Sequence, residues 1–172
     1  SFVAHGLVDG GHEVVALDNL VEGSVAALPD PCVFIKADVA DTATLDRVFV
    51  DHDIDAVVHL AGYTLIPPSL KDPLGCFEMN VGATIGLLRS MAKHGVTKMV
   101  FSSSAAVYGM PTEVPLTESH QLLPENPYGR SKLMIEQLLA WCLDAYGIRS
   151  VSFRYFNVAG ATSGLGESRL IE

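Results

Sequence analysis

SSSAAVYGMPTEVPLTESHQLLPENPYGRSK, residues 102–132, is the stretch on which the reading of this chain turns, because a serine cluster, Ser102, Ser103 and Ser104, stands upstream of Tyr128 and Lys132. A Tyr and a Lys four residues apart share one face of a helix. On that face the ammonium favours the phenolate and a nearby seryl hydroxyl can hold a substrate oxygen, which together make a proton-transfer site for a sugar or alcohol hydroxyl. Alone, the same spacing also describes a surface helix pair, so the surrounding sequence has to decide.

Outward from this stretch, short apolar runs alternate with helical stretches, the pattern of a parallel sheet with helices on both faces. Strands are expected over 13–17, 33–36, 56–60, 98–102 and 151–156. Helices are expected over 2–9, stopped by Gly10 and Gly11, over 42–51, over 73–94 before Gly95, and over 128–146 before Gly147. Pro67, Pro68 and the prolines of 111–127 mark long loops at the carboxyl edge of the sheet, where open α/β folds bind ligands. The fold class is therefore α/β, a Rossmann-like doubly wound parallel sheet.

A dinucleotide-binding fold opens with a strand and a glycine-rich turn, whereas this chain opens on a helix. The acid that takes the ribose hydroxyls lies about 20 residues beyond that turn. Asp18, ending the 13–17 strand, fits if the turn precedes Ser1 immediately. Gly10-Gly11 follows a helix and precedes a strand, the reverse of the required context, and reads as a helix stop. The expectation is an internal fragment with an incomplete sheet. In the strand order 3-2-1-4-5-6 the absent first strand is central, so a gap, or a rearranged pairing, is expected between strands 13–17 and 56–60.

FSSSAAVYG (101–109), NPYGRSK (126–132) and RYFNVAG (154–160), in that order, resemble the extended short-chain dehydrogenase/reductase superfamily and, within it, the UDP-glucose 4-epimerase family; the resemblance runs along the whole chain. It implies an NAD cofactor, a UDP-sugar substrate, and inversion at the sugar C4 through a transient 4-keto sugar. Ser104 would then hold the substrate hydroxyl, Tyr128 would remove its proton, and Lys132 would bond the nicotinamide ribose. Ser102 would line the nicotinamide or pyrophosphate side. Tyr155 and Asn157 resemble residues that bracket the nicotinamide carboxamide and the sugar diphosphate, and Arg154 reads as a structural partner. Asp38 matches an adenine-binding acid with Val39 flanking the ring, or else it caps the helix beginning near Thr42. Family members commonly place a lysine near the pyrophosphate where this chain has Thr64, which implies weaker cofactor retention.

The residues themselves support part of this assignment. Asp18, with Asn19, can accept both ribose hydroxyls of an adenosine and would repel a 2′-phosphate, so NAD is expected over NADP. Leu60, Ala61 and Gly62 follow a strand with the small side chains that a close backbone approach to a dinucleotide needs. Asn80, inside an apolar helix, requires a partner, and a loop backbone near the cofactor would serve. Dehydratases of the superfamily usually carry an acidic pair after the serine or threonine; Ala105 and Ala106 stand there, which favours simple epimerisation. A dehydratase or decarboxylase acting on a nucleotide-sugar, and a catalytically inactive fragment or binding protein, are the alternatives.

Composition bounds the partners. With 49% hydrophobic residues and a formal net charge of −9, the chain can bury a core but lacks the basic face that nucleic acid or an anionic membrane would need. Phosphate remains accessible through backbone amides at a helix N-terminus. Cys32, Cys76 and Cys142 are widely spaced and suit a reduced, cytoplasmic chain. The histidines show no metal-ligand spacing, and His59, within an apolar run, reads as a hydrogen-bonded strand-end residue. No apolar segment has membrane length. By resemblance, helices 73–94 and 128–146 would form the four-helix contact of a homodimer. The domain reading is a partial NAD-binding domain over 1–160 and the start of a substrate-binding region over 161–172.

Overall fold

Helix α1 (Phe2–Asp9) ends at Gly10-Gly11 and gives way to strand β1 (Val15–Asp18), which pairs in parallel with β2 (Val33–Lys36). The register sets Val15 opposite Val33 and Asp18 opposite Lys36, so Asp18 stands at the carboxyl end of this two-stranded sheet. The computed structural model describes residues 1–161, and the expected 161–172 segment lies outside it apart from Ala161. Contacts divide these residues into two units: Ser1–Asp38 with the described residues from Asn157 on, and Val39–Phe156.

The second unit opens with α2 (Thr42–Asp51), whose first turn is capped by Asp41 accepting from the Thr44 amide at 3.1 Å. Next come β3 (Val57–His59), α3 (Ile66–Lys71) and α4 (Pro73–Phe77). The helix expected over 73–94 is not uniform. A π-helical turn, Glu78–Gly82, separates α4 from α5 (Ala83–Lys93). Pro67 and Pro68, read as loop residues, lie at the start of α3, where the missing amide hydrogen costs nothing because first-turn amides have no intrahelical acceptor.

Strand β4 (Lys98–Ser104) lies between β3 and β5 (Arg149–Tyr155), parallel to both. Its burial alternates as a pleated strand requires: Met99, Phe101 and Ser103 are buried, while Val100, Ser102 and Ser104 are half-buried. The 20-residue helix α6 (Pro127–Tyr146) makes the crossover from β4 to β5, which leaves these two strands parallel, and buries Leu133, Ile135, Leu139 and Cys142. Among the described residues β1–β2 and β3–β4–β5 are separate sheets, with no strand pairing between 15–18 and 57–59.

Asp46 of α2 fastens that helix to the end of α5. Its carboxylate accepts from Lys93 Nζ at 2.6 Å, Ser90 Oγ at 2.9 Å and His94 Nε2 at 3.1 Å, and the His94 ring stacks on Phe49. Lys93 above all, then Ser90 and His94, hold the Asp46 carboxyl down from 3.8 to about 2. The unfolded carboxyl is protonated near 3.8 and the folded one only near 2, so its contribution is complete above about pH 4 and is lost as the pH falls through 2. Asp46→Asn is expected to lower Tm at pH 7 by a modest amount, since the pair is solvent-screened. The gap from the unsubstituted protein should close between about pH 4 and 2. Thermal melts across this range check it; a pH-independent gap would show that the carboxylate charge is immaterial.

Candidate active site

The first turn of α6 begins at Asn126, whose side chain accepts from the Gly129 amide at 2.8 Å, with Pro127 opening the helix. The turn then presses against the 3₁₀ turn Ala105–Val107. A Cβ on Gly129 would lie 2.5 Å from the Ala106 carbonyl oxygen, so only glycine permits this approach. It sets the helix that carries Tyr128 and Lys132 against the carboxyl end of β4. There Ser104 caps the 3₁₀ turn, its Oγ accepting from the Ala106 amide at 3.2 Å.

Lys132 is the electrostatic centre of this region. It is 3% exposed, and its Nζ donates to the Ser102 carbonyl at 2.9 Å. The ammonium lies 5.1 Å from the Phe101 ring centroid and 5.8 Å from that of Tyr128. Burial draws its pKa from 10.5 down to about 8, with Cys76 opposing the shift. The Ser102 carbonyl is its one hydrogen-bond acceptor among the described residues, and an ammonium has three donors to place.

Beneath it lies His59, 5% exposed, stacked on Phe101 and with Nε2 2.8 Å from Thr84 Oγ1. The Thr84 hydroxyl gives its proton to the Asn80 carbonyl at 2.6 Å, so His59 Nε2 carries a hydrogen and donates to Thr84. Burial first, and the Lys132 charge second, bring the His59 pKa from 6.5 to about 4, which leaves a neutral imidazole at pH 7. The strand-end histidine is thus hydrogen-bonded, as its setting in the sequence implied.

Asn80 lies in the π-helical turn and is 2% exposed. Its Oδ1 accepts from the Tyr63 amide at 2.7 Å, and its Nδ2 donates to Ser131 Oγ at 2.8 Å. The loop-backbone partner anticipated for it is Tyr63. Both ends of the side chain are engaged inside the protein, so Asn80 shapes the 60–63 turn from behind. Gly62, at φ +132°, leaves room for it: a Cβ there would collide with Asn80 Oδ1. Leu60 and Ala61 are exposed on this turn.

Of the serine cluster, Ser103 points the other way. Its hydroxyl donates to Glu136 of α6, which also pairs with Arg154 at 2.7 Å. Arg154 Nη1 donates to the Tyr108 hydroxyl at 3.0 Å and to the Glu118 carbonyl at 3.4 Å. Glu136 above all holds the Arg154 pKa above its ordinary value. Arg154 is the structural partner the sequence suggested, tying β5 to α6 and to the 109–126 loop. Tyr155 stands beside Ser104 in the β4–β5 register and is 42% exposed.

In the first unit, Asp18 is exposed and its carboxylate accepts from the Leu20 amide at 2.7 Å. Asn19 donates to Asp38 at 2.9 Å and accepts from the Val21 amide at 3.1 Å. Since Asp41 caps α2, the capping alternative for Asp38 falls away, one turn of chain too early. Asn157 belongs to this unit and is exposed; Val39 opens the other. Gly129, Ser131, Thr84 and Asp41 were not singled out in the sequence. Glycine inside NPYGRSK was a visible signal for the first, and Asp three residues before Thr44 for the last. Ser131 and Thr84 left none, because beyond a local backbone carbonyl their partners, Asn80 and His59, are distant in sequence.

The three cysteines are free thiols, and among the described residues no group of three His, Cys, Asp or Glu could hold a metal ion. No helix of the described residues is long and apolar enough to cross a membrane.

Known proteins resemble this chain closely. It is 46% identical over 155 residues to the UDP-glucose 4-epimerase of Halalkalibacterium halodurans, covering 90% of this chain and 46% of that protein. The crystal structure of UDP-glucose 4-epimerase from Brucella ovis in complex with NAD superposes with a TM-score of 0.89 at 37% identity, over 92% of this chain and 49% of that one. The UDP-glucose 4-epimerase of Thermotoga maritima with UDP-glucose superposes with a TM-score of 0.89 at 31% identity, over 93% of this chain and 52% of that one. The chain spans about half the length of the curated relatives it matches. The NAD dependent epimerase/dehydratase family pattern matches residues 1–172, and with the parallel sheets and the Tyr128–Lys132 helix face it establishes that this chain belongs to that family.

Proposed function

We propose that the whole protein is an NAD-dependent epimerase acting at C4 of a nucleotide-sugar, with UDP-glucose and UDP-galactose as its pair and galactose metabolism as its setting. The observation that carries this reading is the buried Lys132 ammonium held 5.8 Å from the Tyr128 ring at the end of the strand bearing Ser104. NAD fits the residues present. Within the Val39–Phe156 unit, Lys132 has N–H donors to spare for ribose hydroxyls; within the other unit, Asp18 offers a carboxylate oxygen not taken by Leu20. Asn19, Asp38 and Val39 would complete the adenosine end; Leu60, Ala61, Gly62, Ser102 and Tyr155 would line the rest. Asn80 would act on the cofactor through the 60–63 backbone.

Bound NAD supplies the hydride acceptor and donor. The protein's own groups do the rest. Ser104 Oγ holds the sugar 4-hydroxyl. Tyr128 would take the hydroxyl proton as general base while C4 gives up its hydride, the two losses together giving a 4-keto sugar, and would return the proton once hydride has come back to the other face of the ring. The Lys132 ammonium lies beside the Tyr128 ring, and neutral His59 adds no second positive charge to the same buried space. Asn157 would contact the sugar diphosphate. Ala105 and Ala106 offer no acid or base for elimination, which favours epimerisation over dehydration. Exposed Met134 and Trp141 on α6 support a homodimer through α5 and α6, and the free thiols accord with the cytoplasm.

Tyr128→Phe should reduce epimerase turnover of the whole protein by about 10²-fold or more, because it removes the base. A coupled UDP-glucose assay measures this, and near-normal turnover would refute the assignment. Asp18→Ala is expected to narrow a preference for NAD over NADP, read from the two cofactors' binding constants; equal affinity before substitution would count against the role.

Lys132→Met should remove activity yet raise Tm of the cofactor-free protein at pH 7. The folded lysine titrates near 8 and the unfolded one near 10.5, so below about pH 8 the buried charge opposes folding in full. The gain should shrink as the pH rises from about 8 to 10.5, where the unfolded chain also loses the proton. Melts at pH 7 and 10 check this, and a lowered Tm at pH 7 would contradict it.

A further inference from the structure

Two buried hydrogen-bond chains meet at Asn80, and their direction is fixed by proton count. One runs from His59 Nε2 to Thr84 Oγ1 and on to the Asn80 carbonyl. The other runs from the Tyr63 amide to Asn80 Oδ1, from Asn80 Nδ2 to Ser131 Oγ, and from Ser131 Oγ to the Tyr128 carbonyl at 2.7 Å. Ser131 is the joint of the second chain. It is fully buried, its single proton is committed to Tyr128, and its lone pairs face Asn80 Nδ2, with Cys76 Sγ 4.0 Å away. The Asn80 end exists because the π-helical turn interrupts the helix there; such turns recur at functional sites.

We propose that Ser131 is a positioning residue that couples the 60–63 turn to the first turn of α6, so that the backbone expected to face the dinucleotide and the Tyr128 phenol move as one rigid piece. This rests on the epimerase reading of Tyr128 and Lys132. Among the described residues no other hydrogen bond joins Tyr128 or Tyr63 to the π-helical turn, whereas Ser131 reaches one directly and the other through Asn80. Removing its hydroxyl leaves Asn80 Nδ2 buried with only the weak Cys76 sulfur at 3.9 Å, so Asn80 is free to let go of Tyr63.

The test uses the whole protein with NAD bound and three variants: Ser131→Ala, Ser131→Cys, which keeps the volume but weakens both hydrogen bonds, and Ile135→Val as a buried control on the same helix. Ser131→Ala should lower kcat about tenfold or more while KM for the UDP-sugar and the NAD content stay within about twofold, since the loss is of reacting geometry and not of binding. Hydrogen exchange at the Tyr63 amide should accelerate in the same variant, with Ser131→Cys intermediate in both readouts. Ile135→Val should lower Tm yet leave kcat and Tyr63 exchange unchanged. If Ser131→Ala does not fold, Ser131→Cys decides alone. Wild-type kcat in the folded Ser131 variants, or unaltered Tyr63 exchange, overturns the proposal. If the unsubstituted protein shows no epimerase activity, the functional reading fails, and Tyr63 exchange by itself then decides whether Ser131 couples the two elements.

Discussion

The ammonium of Lys132 is the constraint around which this region is arranged. A charge that is 3% exposed has lost nearly all its water, and its burial costs enough to draw the pKa to about 8. What replaces the water is limited: one backbone carbonyl, Ser102, and the faces of Phe101 and Tyr128. The neighbours follow from that. His59 is neutral, because a second cation would compound the cost, and its orientation is fixed through Thr84. The fold thus keeps an incompletely solvated cation beside a phenol, an arrangement that opposes stability and suits proton transfer.

Rigidity around the ammonium comes from a division of labour among hydroxyl groups. Ser103, Ser131 and Thr84 are buried and committed to protein partners, while Ser102 and Ser104 lie on the less buried side of β4. Strand alternation makes the choice within the SSS run: Ser103 falls on the buried side of β4, where its hydroxyl donates to Glu136, and Ser104 falls on the less buried side, where it caps the 3₁₀ turn. The π-helical turn performs the equivalent task for α4 and α5, presenting Asn80 to the 60–63 turn and to α6 at once.

Global charge and local chemistry act independently here. A net charge of −9 coexists with a buried lysine and a half-buried Arg154–Glu136 pair, since within the protein each group responds to its immediate neighbours. The acids that contribute to the negative total are put to local use as caps and staples, Asp41 on α2, Asp72 on α4 and Asp46 between α2 and α5.

The sequence by itself determined the order of strands and helices, because apolar period and glycine or proline punctuation are local properties that need no knowledge of the fold. It likewise determined the Tyr128–Lys132 face, since helical pitch alone brings residues four apart together, and the likeness of its motifs to a known family. Only the tertiary structure decided which serine hydroxyl is bonded to α6, that Asn80 sits in a π-helical turn, that Asp41 and not Asp38 caps α2, and that Lys132 is buried. Each of those depends on partners distant in the chain: Ser131 is 51 residues from Asn80, and Lys132 is 30 from Ser102. Propensity and spacing carry information over a turn or two of chain, whereas burial and hydrogen-bond partnership are set by packing between elements.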